Sequence, residues 1–280
     1  MSKSYHILVT NDDGIHAPGL LALKRALETI GRVTVFAPDH NWSAAGHSKT
    51  MHKPLRVSQV TLSDGSPALT TTGAPSDCVG LALLGLVDLP VDMIVSGINQ
   101  GPNMGYDITY SGTVAAAMEA VVWGVPAIAV SLDCYEAGKD FEPAARFSAR
   151  LALKTLEEGL PPNVLLNVNV PALPSDEIRG VAFTRLGKRL YHDELICRQD
   201  PRGRDYYWIG GKPPSGIVED GTDIGAVANH YISVTPLNMD MTHHAQLDRL
   251  QRWHASLDRA WQATAGGVAG PSHTMRSEDT

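Results

Sequence analysis

The stretch Tyr5-His6-Ile7-Leu8-Val9-Thr10-Asn11-Asp12-Asp13-Gly14 reads as an apolar β-strand that runs straight into a polar turn. Pro18-Gly19 and a helix-like segment to Ile30 come next, so the chain opens with a strand–loop–helix unit. Further strand-like runs at Val33–Ala37, Met93–Ser96, Ala127–Ser131 and Val164–Val170 are short, apolar and rich in β-branched residues. Strands covered on both faces have that composition. Helical patterns at Ser76–Leu86, Thr113–Trp123 and Pro143–Glu158 lie between them. Gly31 and Gly124 stand where helix C-caps belong, and Pro143 where a first-turn proline belongs. The alternation predicts an α/β fold, a three-layer αβα, Rossmann-like arrangement around a mainly parallel sheet.

Two regions break the pattern. Pro54 to Thr72 alternates around Ser63-Asp64-Gly65-Ser66 and reads as a hairpin. Arg179 to Gly211 holds Val181-Ala182-Phe183 and Tyr206-Tyr207-Trp208 on either side of Asp200-Pro201-Arg202-Gly203. It reads as a protruding β-hairpin arm, about residues 179–215. Beyond Pro236 the chain turns polar, with a short helix around Ala245–Ala263, and Gly266 to Thr280 reads as a disordered tail. The expected organisation is one α/β domain over residues 1–240, followed by a C-terminal helix and tail over 241–280.

The 280 residues are 43% hydrophobic and 19% charged, enough for one large domain with a sizeable core. A net charge of -7 without a long basic run argues against a stable nucleic-acid partner. Cys78, Cys134 and Cys197 form neither a CxxC pair nor a disulfide framework, so a cytoplasmic location is the expectation. The N-terminus lacks the shape of a signal peptide, and Cys78 to Val87 is too short to cross a bilayer. The run from Val114 to Val130 is interrupted by Glu119, Gly124 and Pro126, so no membrane span is expected.

Adjacent carboxylates at a strand end repel each other and are costly to desolvate together, unless a cation or a set of donors lies between them. Asp-Gly is also ordinary turn chemistry, and Asn or Asp can cap the next helix. The segments beyond the other strands favour a site. Ligands of open α/β sheets bind beyond the carboxyl ends of the strands. There stand Ala37-Pro38-Asp39-His40-Asn41-Trp42-Ser43, Ser96-Gly97-Ile98-Asn99-Gln100-Gly101-Pro102-Asn103-Met104-Gly105, and Tyr110-Ser111-Gly112-Thr113 at a helix start. Carboxylates, an amide oxygen and a hydroxyl are hard donors, suited to Mg²⁺, Mn²⁺ or Ca²⁺. The histidines offer no HExxH, and His47 and His52 read as solvated loop residues rather than pocket lining. A helix opening on Ser-Gly-Thr favours an anion, so Asn103, Ser111, Gly112 and Thr113 are candidates for a phosphate cradle.

Val9-Thr10-Asn11-Asp12-Asp13-Gly14 with Ala17-Pro18-Gly19 resembles the opening of the SurE family of metal-dependent nucleotidases. The likeness continues through Ala37-Pro38 with Ser43, Val95 to Asn103, and Tyr110-Ser111-Gly112-Thr113-Val114-Ala115-Ala116. It extends to Asn167-Val168-Asn169-Val170-Pro171, Gly221-Thr222-Asp223 and Ser233-Val234-Thr235-Pro236-Leu237. The resemblance implies one divalent metal per subunit, Mg²⁺ or Mn²⁺, on Asp12, Asp13, Ser43 and Asn99. It implies hydrolysis of nucleoside 5′- and 3′-monophosphates, and a homodimer or homotetramer built by exchange of a C-terminal β-arm. Ala44 after Ser43, and Ala74 in Gly73-Ala74-Pro75, depart from the glycine and threonine usual in the family.

The chemistry expected is metal-assisted phosphomonoester hydrolysis, with Asp12, Asp13 and Asn99 at the reacting centre and Asp12 the candidate base. An aspartyl-phosphate phosphatase is one rival, although such enzymes typically space nucleophile and acid two residues apart. A non-catalytic nucleotide-binding module is the other. Its redox-cofactor version is weakened because no GxGxxG comes after the first strand.

Overall fold

In the computed structural model, residues 5–265 are described. Eleven strands form, β1 Tyr5–Thr10, β2 Gly31–Pro38, β3 Val57–Thr61, β4 Pro67–Thr71, β5 Met93–Gln100, β6 Ala127–Asp133, β7 Val164–Pro171, β8 Gly180–Phe183, β9 Arg189–Gln199, β10 Asp205–Gly216 and β11 Tyr231–Asn238. The helices are α1 Pro18–Leu27, α2 Pro75–Leu81, α3 Gly112–Val122, α4 Glu142–Glu158, α5 Asp223–Ala228, α6 His244–Gln251 and α7 His254–Ala265. The chain divides into two compact units, one ending at Met239 and one beginning at Asp240.

Nine strands build one sheet in the order β3-β4-β2-β1-β5-β6-β7-β11-β8. Its centre is parallel, and β3 and β11 are antiparallel to β4 and β7. Side chains alternate between the faces of a strand. Ile7 and Val9 therefore pack with α1 and α4, while Leu8 packs with α2 and α3 on the opposite face. Two apolar layers sandwich the sheet, which explains why the central strands are apolar along most of their length, with polar residues gathered toward their carboxyl ends.

From β1 the chain winds outward to β2 on one side and returns to β5 on the other, so the switch point lies between β1 and β5. A crevice opens there beyond the strand ends.

Several expectations need correction. Gly31 opens β2 rather than capping α1; a Cβ there would lie 2.5 Å from the Tyr5 carbonyl oxygen, so close strand approach demands the glycine. Gly124 does end α3, with φ +75 and the Gly124 N–H bonded to Val121 O, and Val125 N–H to Ala120 O. The hairpin arm is β9 and β10 alone, Arg189 to Gly216. Gly180–Phe183 instead adds a parallel edge strand beside β11 in the main sheet. Strand β5 continues past Ser96 to Gln100, because Asn99 and Gln100 resume pairing with Ser131 and Leu132 beyond a bulge. The helix expected over Ser76–Leu86 stops at Leu81 and passes into a wider turn in which Gly85 has φ +109. The single helix expected over Ala245–Ala263 is two, α6 and α7. The segment Gly266 to Thr280 lies outside the described residues.

Candidate active site

Asn11 and Gly14 make the turn after β1 by themselves. The Asn11 side-chain amide donates to Gly14 O at 3.0 Å, its Oδ1 accepts from Gly14 N at 3.2 Å, and Gly14 has φ +99. The two aspartates between them are thereby released from turn-making. Asp12 is 4% exposed and packs against the start of α3, where the Thr113 hydroxyl donates to its Oδ1. A Cβ on Gly112 would lie 2.7 Å from Asp12 Cβ, so only glycine lets the helix approach this closely. Burial pushes the Asp12 carboxyl up to about 6; the Thr113 hydrogen bond pulls it back, and the neighbouring Asp13 charge adds to the rise. Asp13 is half-buried and accepts from Gln100 N at 3.0 Å and, loosely, from Asn41 Nδ2 at 3.5 Å. Burial raises its carboxyl too, against the pull of that amide.

A cavity of about 280 Å³ opens at this point, lined among others by Asp12, Ser43, Asn99, Asn103, Asp107 and Ser111. A larger groove of about 610 Å³ lies between α1 and α4, lined by alanines together with Arg25, Asp140, Glu142, Arg146 and Arg150, and shares no lining residue with the crevice at the strand ends. Asp13, Gly112 and Thr113 are not among the lining residues of the smaller cavity; Gly112 and Thr113 pack against Asp12, and Asp13 is bonded to Gln100. Asn99 donates from Nδ2 to Gly101 O at 2.8 Å, which leaves its Oδ1 free as an acceptor. Ser43 is held by its backbone, whose N–H reaches Asn41 Oδ1 at 2.7 Å, while Trp42 N–H bonds Asp12 O at 2.8 Å.

These donors fit a hard divalent cation. Asp12 and Asp13 offer two partly desolvated carboxylates, and no Lys, Arg or His ion pair to either is found among the described residues. Asn99 and Ser43 add neutral oxygens. No group of three His, Cys, Asp or Glu suited to a metal occurs among the described residues.

The helix start is more committed than its sequence suggests. Ser111 Oγ caps Val114 N at 3.1 Å, and both the hydroxyl and the backbone N–H of Thr113 favour the Asp12 carboxylate. Asn103 is 7% exposed; its Nδ2 reaches Ser131 Oγ at 2.8 Å and its N–H reaches Asn169 Oδ1 at 2.8 Å. Asn167 and Asn169 both donate to the Asn103 carbonyl, at 2.8 and 3.0 Å. These two supporting asparagines went unassigned from sequence, although their spacing of two in an apolar strand puts them on one face. Also unforeseen is the pairing of Asp107 with the arm, through Arg189 Nε at 2.5 Å and the Tyr191 hydroxyl at 2.8 Å. His47 is no free loop residue: its Nε2 lies 2.9 Å from Glu119 Oε2. His52 is exposed, as expected. Ala44 takes φ +60, a conformation that a glycine would adopt without strain.

An open, mainly parallel α/β sheet with paired carboxylates at its switch point, facing a helix N-terminus, defines a Rossmann-like protein with an oxygen-donor site. Residues 7–193 match the family described as Survival protein SurE, and the chain belongs to that family. A protein named 5′-nucleotidase SurE from Herpetosiphon aurantiacus is 57% identical over 88% of this chain and 96% of its own. One of the same name from Chloroflexus aggregans is 54% identical over 89% and 98%. The crystal structure of SurE protein from Aquifex aeolicus superposes with a TM-score of 0.76 at 39% identity, covering 89% of this chain and 99% of that one.

Proposed function

We propose that this chain is a metal-dependent phosphomonoesterase that hydrolyses nucleoside 5′-monophosphates, and 3′-monophosphates, to nucleoside and phosphate. The observation that carries the reading is the buried Asp12 carboxylate, desolvated beside Asp13 and braced by the first turn of α3. The relatives named 5′-nucleotidase SurE, at 57% and 54% identity, support the substrate class.

Asp12, Asp13, Ser43 and Asn99 would hold one divalent ion per subunit, Mg²⁺ or Mn²⁺. When bound, the ion supplies Lewis acidity toward a phosphoryl oxygen and toward water. Asn103, Ser111, Gly112 and Thr113 form the phosphate end of the crevice. Ser111 and Asn103 line the cavity, whereas Gly112 and Thr113 act by keeping Asp12 in place. Asp12 is the proton acceptor we favour, as a ligand that neighbours the attacking water.

The catalytic domain is assigned to residues 1–240, with 241–280 as the C-terminal extension. Assembly into a homodimer or homotetramer by exchange of the arm and the C-terminal extension is supported by the exposed Leu195, Tyr207, Trp208 and Ile209 on β9 and β10. No helix among the described residues is long and apolar enough to cross a membrane, and a cytoplasmic location is our assignment.

The test is phosphate release from a panel of nucleoside monophosphates, with and without chelator, by wild type and by Asp12→Asn and Asp13→Asn. Chelator-sensitive release that both variants lose is expected. Wild-type turnover in both variants would refute the metal assignment.

A further inference from the structure

Helix α3 is built from glycine, alanine, valine, threonine and methionine, apart from one charged residue, Glu119. Its side chain is 2% exposed. A carboxylate in such surroundings is strongly unfavourable unless its oxygens are satisfied. Three donors satisfy them. Trp123 Nε1, one turn along the same helix, reaches Oε1 at 2.8 Å; Lys49 Nζ reaches Oε1 at 2.8 Å; and His47 Nε2 reaches Oε2 at 2.9 Å. Burial works against ionisation of this carboxyl, yet the bonds from His47, Lys49 and Trp123 hold it down to about 2. With both oxygens occupied, Glu119 has little capacity left for a ligand.

Two of the three donors come from the segment between β2 and β3 that carries Ser43. This segment has no helix or strand of its own across residues 39–56. Its ends are held by Asp39 N–H to Thr71 O at 2.9 Å and Thr50 N–H to Asp77 Oδ1 at 3.0 Å, and between them it is tied to the site and to α3. Trp42 N–H bonds Asp12 O at 2.8 Å, Gly46 N–H bonds Tyr110 O at 2.9 Å, and His47 and Lys49 bind Glu119. Ser111 and Glu119 are about two turns apart on α3, so the loop is fastened near both ends of a span of roughly 12 Å. Ser43 lies at one end of that span, and Ala44 beside it is held at φ +60.

We infer that Glu119 is a positioning residue, whose buried carboxylate clamps the Ser43 loop onto the helix that begins at the phosphate end of the crevice. It touches neither substrate nor any proposed ligand; it fixes where the Ser43 hydroxyl stands. The inference rests on the metal-dependent reading of the site.

The test uses full-length protein and Mn²⁺ alone as the probe. Mn²⁺ is titrated without nucleotide and the free ion is followed by electron paramagnetic resonance. Residues that orient metal ligands typically contribute about 10- to 100-fold in affinity. Glu119→Gln keeps the shape and an acceptor for Trp123 but loses the charge, and is expected to weaken Mn²⁺ binding by about 10-fold. The concentration of Mn²⁺ that half-activates phosphate release should rise in parallel, with kcat at saturating metal within about twofold of wild type. Amide hydrogen exchange at Gly46 and its neighbours should quicken. The surface double variant His47→Asn/Lys49→Met removes the same contacts from the loop side and guards against a helix variant that does not fold. It should reproduce the loss, and adding Glu119→Gln to it should cost little more. Wild-type Mn²⁺ affinity in the His47→Asn/Lys49→Met protein overturns the clamp while leaving the proposed activity intact. Failure of the wild type itself to bind Mn²⁺ overturns the metal reading, and the clamp with it.

Discussion

Gly112→Ala tests how tightly the first turn of α3 braces Asp12. The new Cβ would stand 2.7 Å from Asp12 Cβ and 2.9 Å from Oδ2, against an ordinary contact distance of 3.4 Å or more. Asp12 or the helix start must therefore retreat by about 0.7 Å. Asp12 cannot follow freely, because its backbone carbonyl holds Trp42 and its side chain holds Thr113. A misplacement on the order of 1 Å at a reacting centre costs about 100-fold in rate. The expected result is a fall of roughly that size in kcat/KM for a nucleoside monophosphate, measured by phosphate release. Stability should move much less. Overpacking costs about 1–3 kcal/mol, while alanine in a helix recovers up to about 1 kcal/mol relative to glycine. With that recovery realised in full, the net loss of about 0–2 kcal/mol corresponds to a Tm within about 8 °C of wild type. Unchanged Mn²⁺ affinity together with unchanged turnover would refute the idea that this contact fixes the carboxylate. Global unfolding would point instead to a purely architectural role.

Ala44→Gly should raise Tm slightly, because an L-residue near φ +60 costs about 1–2 kcal/mol, of which glycine gives part back as greater freedom of the unfolded chain. A lowered Tm in thermal melts would contradict the strain attributed to Ala44. Asp12 makes the metal-free protein sensitive to pH in an unusual direction. Its folded value of about 6 exceeds the ordinary 3.8, so chelated protein should lose up to about 3 kcal/mol as pH rises from about 4 to 6. Urea unfolding should show a steeper decline in wild type than in Asp12→Asn, in which the raised Asp13 carboxyl remains; equal slopes in the two would dismiss Asp12 as a source.

Much of the architecture was legible from the chain. The runs at Ile7, Val35, Ile94, Ile128 and Val168 are apolar on both faces, and only a sheet with helices on either side buries such strands. The helix start at Pro18, the first-turn proline Pro143 and the helix end at Gly124 follow from local backbone preferences. Misreadings arose where a distant partner overrode local chemistry. Gly31 looks like a helix cap until the Tyr5 carbonyl is seen beside it. Gly180–Phe183 looks like part of the arm because its partner, β11, begins at Tyr231. Asn99 looks like loop until Ser131 pairs with it across the bulge.

The sequence by itself determined the alternating sheet-and-helix plan and the chemical types at the strand ends, because both are written in short-range patterns of polarity and backbone preference. It could also name Asp12, Asp13, Ser43 and Asn99 as candidate ligands. Only the tertiary structure decided that Asn11 and Gly14 take over the turn and release the aspartates. Only it showed that Thr113 serves Asp12, that Asn167 and Asn169 hold Asn103, and that Glu119 grips His47 and Lys49. The physical reason is range. A buried hydrogen bond or ion pair between residues far apart in sequence leaves no periodic trace in the chain, and it comes into being only when packing removes the water that would otherwise satisfy both partners.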